Sequence, residues 1–142
     1  MSRRKARVVA FQGLYSWDVG GMDEKTVLEL SWANSNFSDD DSEKAVFDDA
    51  SSAFARMLIS GTIENITQID ELIKNHLSNW EFDRVNRVSI AILRMSVYSL
   101  LFMKDIEPSI VIDEAIDIAK NFGPDDSYKF VNAILDNIKK SI

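Results

Sequence analysis

Apolar residues recur at helical spacing along most of the chain, and no segment shows the sustained alternation that is typical of a β-strand. The first predicted helix ends at Gly20-Gly21, because paired glycines interrupt helices. Its apolar stripe, with spacings of three and four, consists of Val8, Phe11, Leu14 and Tyr15.

The middle of the chain predicts three more helices. The second is indicated by Val27, Leu28, Leu30 and Trp32. The charged, turn-rich stretch 34–42 follows it as a loop. The third runs from Ser42 to about Ile59, and Gly61 ends or bends it. Its predicted core-facing residues are Val46, Phe47, Phe54, Met57 and Leu58. The fourth presents an apolar series at helical spacing: Ile63, Ile66, Ile69, Leu72 and Ile73.

Three helices are predicted after a short turn near Asp83. The first of them, which Ser89 could cap, is apolar nearly all round, and this predicts a central, buried helix. The next has Pro108 in its first turn and ends at Gly123-Pro124. Asp125 or Asp126 caps the last helix. The pattern as a whole predicts an all-α protein of about seven helices.

Composition limits the choice of protein class. The 142 residues fit one domain, and 46% hydrophobic with 27% charged residues is ordinary for a globular protein. With no cysteine, thiolate metal sites and thiol nucleophiles are excluded. The chain has no long apolar run and no signal-peptide pattern, so we expect a cytoplasmic protein without a membrane partner.

Four cations crowd the start of the first helix although the formal net charge is −7. Arg3, Arg4, Lys5 and Arg7 lie where the helix dipole disfavours positive charge. A local basic patch is the electrostatic footprint of nucleic-acid binding, whatever the net charge. Two interpretations therefore stay open at this point: a binding site, or a solvated basic tail.

Few residues of the sequence suggest a catalytic site or a metal site. His76 is the only histidine and falls near a predicted helix end, where a structural role is favoured. Asp113, Glu114 and Asp117 could suggest a metal site, but acidic residues early in a helix also complement its dipole. No phosphate-binding glycine loop and no nucleophile motif occurs. We expect neither an enzyme nor a cofactor.

Two distant stretches together resemble the NusB family of bacterial transcription antitermination factors. They are "RRKARVVAFQGLYSWD" (3–18) and "ILRMSVYSLLFMKDIEPSIVIDEAIDIAKNFGPDDSYKFVNAILDNI" (92–138), and "GTIENITQIDELIKNHLSNW" between them is similar too. The resemblance implies one RNA-binding helical domain over 1–142, an all-α fold of two small packed helical bundles. It also implies binding of boxA RNA in ribosomal RNA transcripts together with NusE, the tenth small-subunit ribosomal protein. The pair joins other Nus factors on RNA polymerase and promotes read-through of terminators.

The resemblance also implies which residues bind RNA. The chemistry of the arginines supports this role, because a planar guanidinium can donate two parallel hydrogen bonds to a phosphate. For Tyr15 two roles stay open, base stacking and packing in the core. Phe122 is more readily placed in the core. An acid beside phosphates weakens binding, so Asp126 is of interest, although it could simply be a helix N-cap. The implied set is Arg3, Arg4, Lys5, Arg7, Gln12, Tyr15, Lys120, Phe122, Asp126, Ser127, Lys129 and Phe130.

The partner surface implied by the family lies near the start of the long buried helix. For NusE binding it comprises Val85, Val88, Ser89 and Ile92. An alternative function is an adaptor that binds NusE without direct RNA recognition. Replacing Arg3, Arg4 and Arg7 by Ala separates the two, because only RNA binding needs the arginines. A homodimer that buries the arginine-rich helix is also possible.

Overall fold

The computed structural model describes residues 3–34, 49–77 and 81–142. Within these segments the chain is all-helical, which confirms the predicted class, and a single 3₁₀ turn covers Phe82–Arg84. The helices are α1 (Arg3–Asp18), α2 (Glu24–Glu29), α3 (Ser31–Asn34), α4 (Asp49–Glu64), α5 (Ile66–Asn75), α6 (Arg87–Phe102), α7 (Pro108–Phe122) and α8 (Ser127–Ser141). None of these described helices has the length and apolar character needed to cross a lipid bilayer.

Local capping chemistry sets the boundaries of α2, α3 and α6. The Thr26 amide donates to Asp23 Oδ1 at 2.8 Å, which starts α2. Leu30 then takes a left-handed conformation (φ 61°), so the predicted second helix is divided into two short ones. Asn86, not Ser89, caps α6: the Ser89 amide donates to Asn86 Oδ1 at 2.9 Å.

Gly61 was predicted to end or bend the third helix, and α4 does not end there. The helix continues through Gly61 to Glu64, and the glycine admits a close neighbour at this point. A Cβ at position 61 would lie 2.2 Å from the Tyr98 ring of α6. Met57, predicted in the core, is 42% exposed, whereas Phe54 and Leu58 are buried as predicted. Of the predicted loop 34–42, Asn34 ends α3, and the other residues lie outside the described ones, as do Val46 and Phe47.

The turn between α7 and α8 has an unusual backbone. Pro108 starts α7 and Gly123 ends it, as predicted. Asp126 occupies the N-cap position of α8, but its φ of 66° is left-handed and its side chain makes no capping hydrogen bond. The position of this acid was therefore predicted correctly, whereas the expected capping bond is not formed.

Helix α6 is the centre of the core, and every residue from Ser89 to Leu100 is buried. It packs against α1, α4, α5, α7 and α8. Helices α1, α2 and α4 contact one another, and α7 packs on α8. These contacts form the two small bundles that the family resemblance implied, with α6 between them.

A charged network joins three helices beside this core. Arg94 of α6 is 7% exposed, and its Nε and Nη2 each donate to an Asp70 oxygen at 2.8 Å. Its Nη1 lies 3.5 Å from Asp18 Oδ2, and Arg87 Nε donates to the same oxygen at 2.8 Å. The network therefore ties α1 and α5 to α6, with Trp17 beside the Arg94 guanidinium at 5.8 Å.

Candidate nucleic-acid interface

The arginines at the start of α1 differ in their surroundings. Arg3 and Arg4 are exposed. Arg4 Nε and Nη2 donate to the two oxygens of Glu114 on α7 at 3.1 and 3.3 Å. Nη2 also lies 3.4 Å from Asp117 Oδ2. The hydrogen bond to Glu114 and the attraction of both carboxylates raise the pKa of Arg4 above its ordinary value.

Arg7, a member of the predicted RNA set, is a buried cation. Its side chain is 7% exposed, and its guanidinium lies 5.4 Å from the centre of the Phe54 ring of α4. Burial lowers the pKa of Arg7 because desolvation disfavours the charged form, and attraction to Glu114 partly offsets this. Arg3 stacks over the same ring at 4.7 Å. Arg7 therefore anchors the start of α1 more than it offers a free charge.

A groove of about 410 Å³ opens beside the second half of α1. It brings together Gln12, Tyr15 and Phe122, three residues of the predicted RNA set, with Val88 of the predicted partner set. Phe122 is 44% exposed, which corrects its predicted place in the core. Its ring packs on buried Phe11 at a centroid distance of 5.4 Å, so it projects from the core as a supported aromatic surface. Tyr15 is half-buried: it packs against the core and also lines the groove, so both of its predicted roles, core packing and base stacking, stay open.

Besides Phe11, three further residues line this groove and were not predicted from the sequence as part of the site. They are Ser16, Met22 and Trp32. Ser16 lies one helical turn after Gln12, and this spacing could have found it. Trp32 comes from α3, and its indole N–H donates to the Val27 carbonyl at 3.0 Å, which fixes the ring. No sequence signal connects Trp32 to α1, because the turns after α1 and α2 determine its position.

A second cluster forms at the turn between α7 and α8. Lys120 lies 4.9 Å from the centre of the Tyr128 ring, and Lys129 lies 3.7 Å from exposed Asp126. Asp126 and Phe130 face Val85 across a cavity of about 430 Å³. The predicted RNA residues of this turn thus lie beside the start of α6, where the partner surface was predicted.

Burial changes the expected roles of several predicted residues. The Ser127 hydroxyl is enclosed without a hydrogen-bond partner among the described residues, so it offers no polar contact at the surface. Val85 is 5% exposed, and the side chains of Ser89 and Ile92 are fully buried. Because α6 is the central helix, these three residues shape the surface near its start but present little or no side chain to a partner. Half-buried Val88 is the member of that set with side-chain surface available.

The residues set aside as catalytic or metal ligands have structural contacts. Glu114 and Asp117 hold Arg4, as described above. His76 ends α5, and its Nδ1 lies 2.9 Å from the Leu72 carbonyl oxygen. Within residues 3–34, 49–77 and 81–142, no three His, Asp or Glu side chains are grouped closely enough to hold a metal ion.

These features define a class: a small all-helical protein with surface chemistry suited to single-stranded nucleic acid, namely exposed arginines beside an aromatic groove. The NusB family model matches residues 4–140. The transcription antitermination protein NusB of Treponema denticola is 52% identical over 139 residues, covering 98% of this chain and 96% of that protein. The chain therefore belongs to the NusB family.

Solved structures agree with this assignment. The structure of T. maritima NusB has a TM-score of 0.82 and 37% identity, covering 99% of this chain and 92% of that one. A chain from a crystal structure of antitermination factors NusB and NusE in complex with double-stranded RNA has a TM-score of 0.80 and 30% identity, with full coverage of both chains.

Proposed function

We propose that this chain is a transcription antitermination factor that binds boxA RNA together with NusE. The observation that carries the proposal is that phosphate-binding and base-binding chemistry lie on one helix. Arg3 and Arg4 are exposed at the start of α1, and Gln12 and Tyr15 line the groove beside its second half. With a rise of about 1.5 Å per residue, Arg4 and Tyr15 are roughly 16 Å apart along the helix, enough for several nucleotides to lie between them.

The groove has the chemistry that unpaired bases need. Aromatic faces such as those of Phe122 and Tyr15 can stack on a base, an interaction worth about 1–3 kcal/mol per base. The Gln12 amide offers both donors and an acceptor to a base edge. Arg3 and Arg4 bind phosphate and set the position of the strand, while the groove supplies the contacts that distinguish bases.

NusE is proposed to dock near the start of α6. Val88 offers side-chain surface there. The buried residues Val85, Ser89 and Ile92 shape the surface around it. This region adjoins the α7–α8 turn, whose Asp126 and Phe130 share a cavity with Val85. RNA bound at the turn and a protein bound at α6 would therefore be neighbours, and direct contacts between them would let each favour binding of the other.

The proposal extends to the role of the chain in the cell. One helical RNA-binding domain over 1–142 would join NusE and other Nus factors on RNA polymerase in the cytoplasm. There it would promote read-through of terminators in ribosomal RNA transcripts. It needs no catalysis and no cofactor.

An adaptor that binds NusE without touching RNA is the second candidate function. The observation that favours it is the internal engagement of the arginines: Arg4 pairs with Glu114 and Asp117, and Arg7 is buried. An adaptor would use these side chains only to hold α1 in place, and its affinity for RNA would be non-specific.

A binding titration separates the two functions. Fluorescent single-stranded RNA carrying a boxA-like element is titrated with the protein at two salt concentrations, with and without NusE, beside a scrambled RNA. We expect selective binding that weakens with salt, through counterion release, and tightens when NusE is added. If NusE binds while neither RNA does under any condition, the protein is an adaptor and the RNA-binding proposal is wrong.

Replacing Asp126 by Asn is expected to raise RNA affinity about two- to fivefold, because one exposed negative charge beside the phosphates is removed. Asn also tolerates the left-handed backbone at this position, so the turn is kept. The measurement is the same titration, with Asp136→Asn on the other half of α8 as the charge-matched control. Unchanged or lower affinity for Asp126→Asn would place the RNA away from this turn.

A further inference from the structure

Glu114 is the carboxylate that organises the arginine cluster. It accepts both hydrogen bonds from Arg4, across 110 positions of sequence, and it also attracts the buried Arg7 guanidinium. Its side chain is only 14% exposed, whereas that of Arg4 is 63% exposed. A shielded acid thus holds an exposed arginine at the proposed RNA surface.

We propose that Glu114 is a positioning residue for RNA binding, which acts by fixing the guanidinium of Arg4. The inference rests on the proposed function, since it assigns a role within the same site. A guanidinium has two edges that can each donate a pair of parallel hydrogen bonds. Glu114 occupies the edge formed by Nε and Nη2, and Asp117 lies near Nη2 alone, so the edge formed by the two Nη groups is the one through which Arg4 would bind a phosphate.

Fixing the side chain before RNA arrives strengthens binding. A free arginine on the first turn of a helix samples many rotamers, and RNA binding would have to remove that freedom. In this structure Glu114 has already removed much of it, and such preorganisation reduces the entropic cost of association. Its own position is secure because α7 packs on α6 and α8.

Asp117 supplies a matched comparison within the same cluster. It carries the same charge one turn further along α7, it lies 3.4 Å from Arg4 Nη2, and its side chain is 47% exposed. Both acids repel phosphate, but only Glu114 makes the paired hydrogen bonds. Loss of charge alone therefore tightens RNA binding in both variants, whereas loss of positioning weakens it only when Glu114 is changed.

The test measures dissociation constants for the boxA-like RNA by fluorescence anisotropy. Glu114→Gln is expected to weaken binding about three- to tenfold, since the paired charge-assisted hydrogen bonds are lost. Glu114→Asp, which keeps the charge but shortens the reach, is expected to weaken it by a similar factor. Asp117→Asn is expected to leave affinity unchanged or to raise it up to about threefold at low salt.

A double-mutant cycle shows whether Glu114 acts through Arg4. In an Arg4→Ala background, Glu114→Gln and Glu114→Asp are each expected to change affinity less than about twofold. If they weaken binding as much there as in the wild type, Glu114 acts through Arg7 or the fold, and the inference is wrong. Equal tightening in Glu114→Gln and Asp117→Asn would show repulsion alone and also contradict it. If wild-type protein binds no RNA, the proposed function fails, and this inference fails with it.

Discussion

Replacing Arg94 by Leu is expected to lower the free energy of unfolding by about 3 kcal/mol, because it leaves the Asp70 carboxylate without its counter-charge and takes one of two cations from Asp18, which keeps Arg87. Asp70 and Asp18 are only 19% and 17% exposed, so water cannot fully replace the guanidinium. The two 2.8 Å hydrogen bonds to Asp70 are lost in the same change. Urea unfolding followed by far-ultraviolet circular dichroism measures the effect.

Arg84→Leu is the matched control for this prediction. Arg84 pairs with Glu81 at 3.5 Å, but their side chains are 80% and 78% exposed. Exposed pairs contribute about 0–1 kcal/mol, so the same substitution is expected to have little effect there. A further variant, Arg94→Leu with Asp70→Leu, should recover part of the loss, since one unpaired carboxylate is removed with the arginine. If Arg94→Leu costs no more than Arg84→Leu, the network does not stabilise the fold.

Periodicity predicted most of the fold because the core-facing residues of a helix recur every three or four positions along the sequence. The nearly all-apolar stretch became α6, and Pro108 and Gly123 bound α7 as predicted. The errors arose where a distant contact or a backbone angle determines the local structure. Gly61 was expected to end or bend a helix, but it lies inside one, where the Tyr98 ring leaves no room for a Cβ. The break at Leu30 depends on a left-handed conformation that its residue type does not indicate.

The candidate site was only partly predictable for a similar reason. Residues on a single helix, such as Gln12 and Tyr15, keep their relative positions whatever the rest of the chain does. Contacts between helices carry no such signal. The pairing of Arg4 with Glu114 and the burial of Arg7 follow from how α1 lies against α7 and α4. The exposure of Phe122 likewise depends on the packing at the end of α7, which spacing alone does not give.

The largest functional effect is expected from Arg3→Ala combined with Arg4→Ala. Affinity for the boxA-like RNA should fall about thirtyfold or more, because two charge-assisted phosphate contacts are removed. The slope of log K against log salt concentration should become shallower by about 1.4, since each phosphate contact with a single strand contributes about 0.7. Arg7 is left intact because it is buried against Phe54, and its loss would disturb the packing of α1 on α4.

Three controls make this result specific to RNA recognition. Lys139→Ala with Lys140→Ala removes the same charge from the last turn of α8, where both lysines pair with Asp136, and it should have a much smaller effect. NusE affinity should stay unchanged in the arginine variant, because the proposed docking surface lies at the start of α6. Thermal unfolding should also change little, since Arg3 and Arg4 are exposed and Glu114 keeps its attraction to Arg7. If the lysine and arginine variants weaken RNA binding equally, net charge rather than the start of α1 governs the interaction. The adaptor function would then explain the arginines better, as side chains that hold the first helix against α4 and α7.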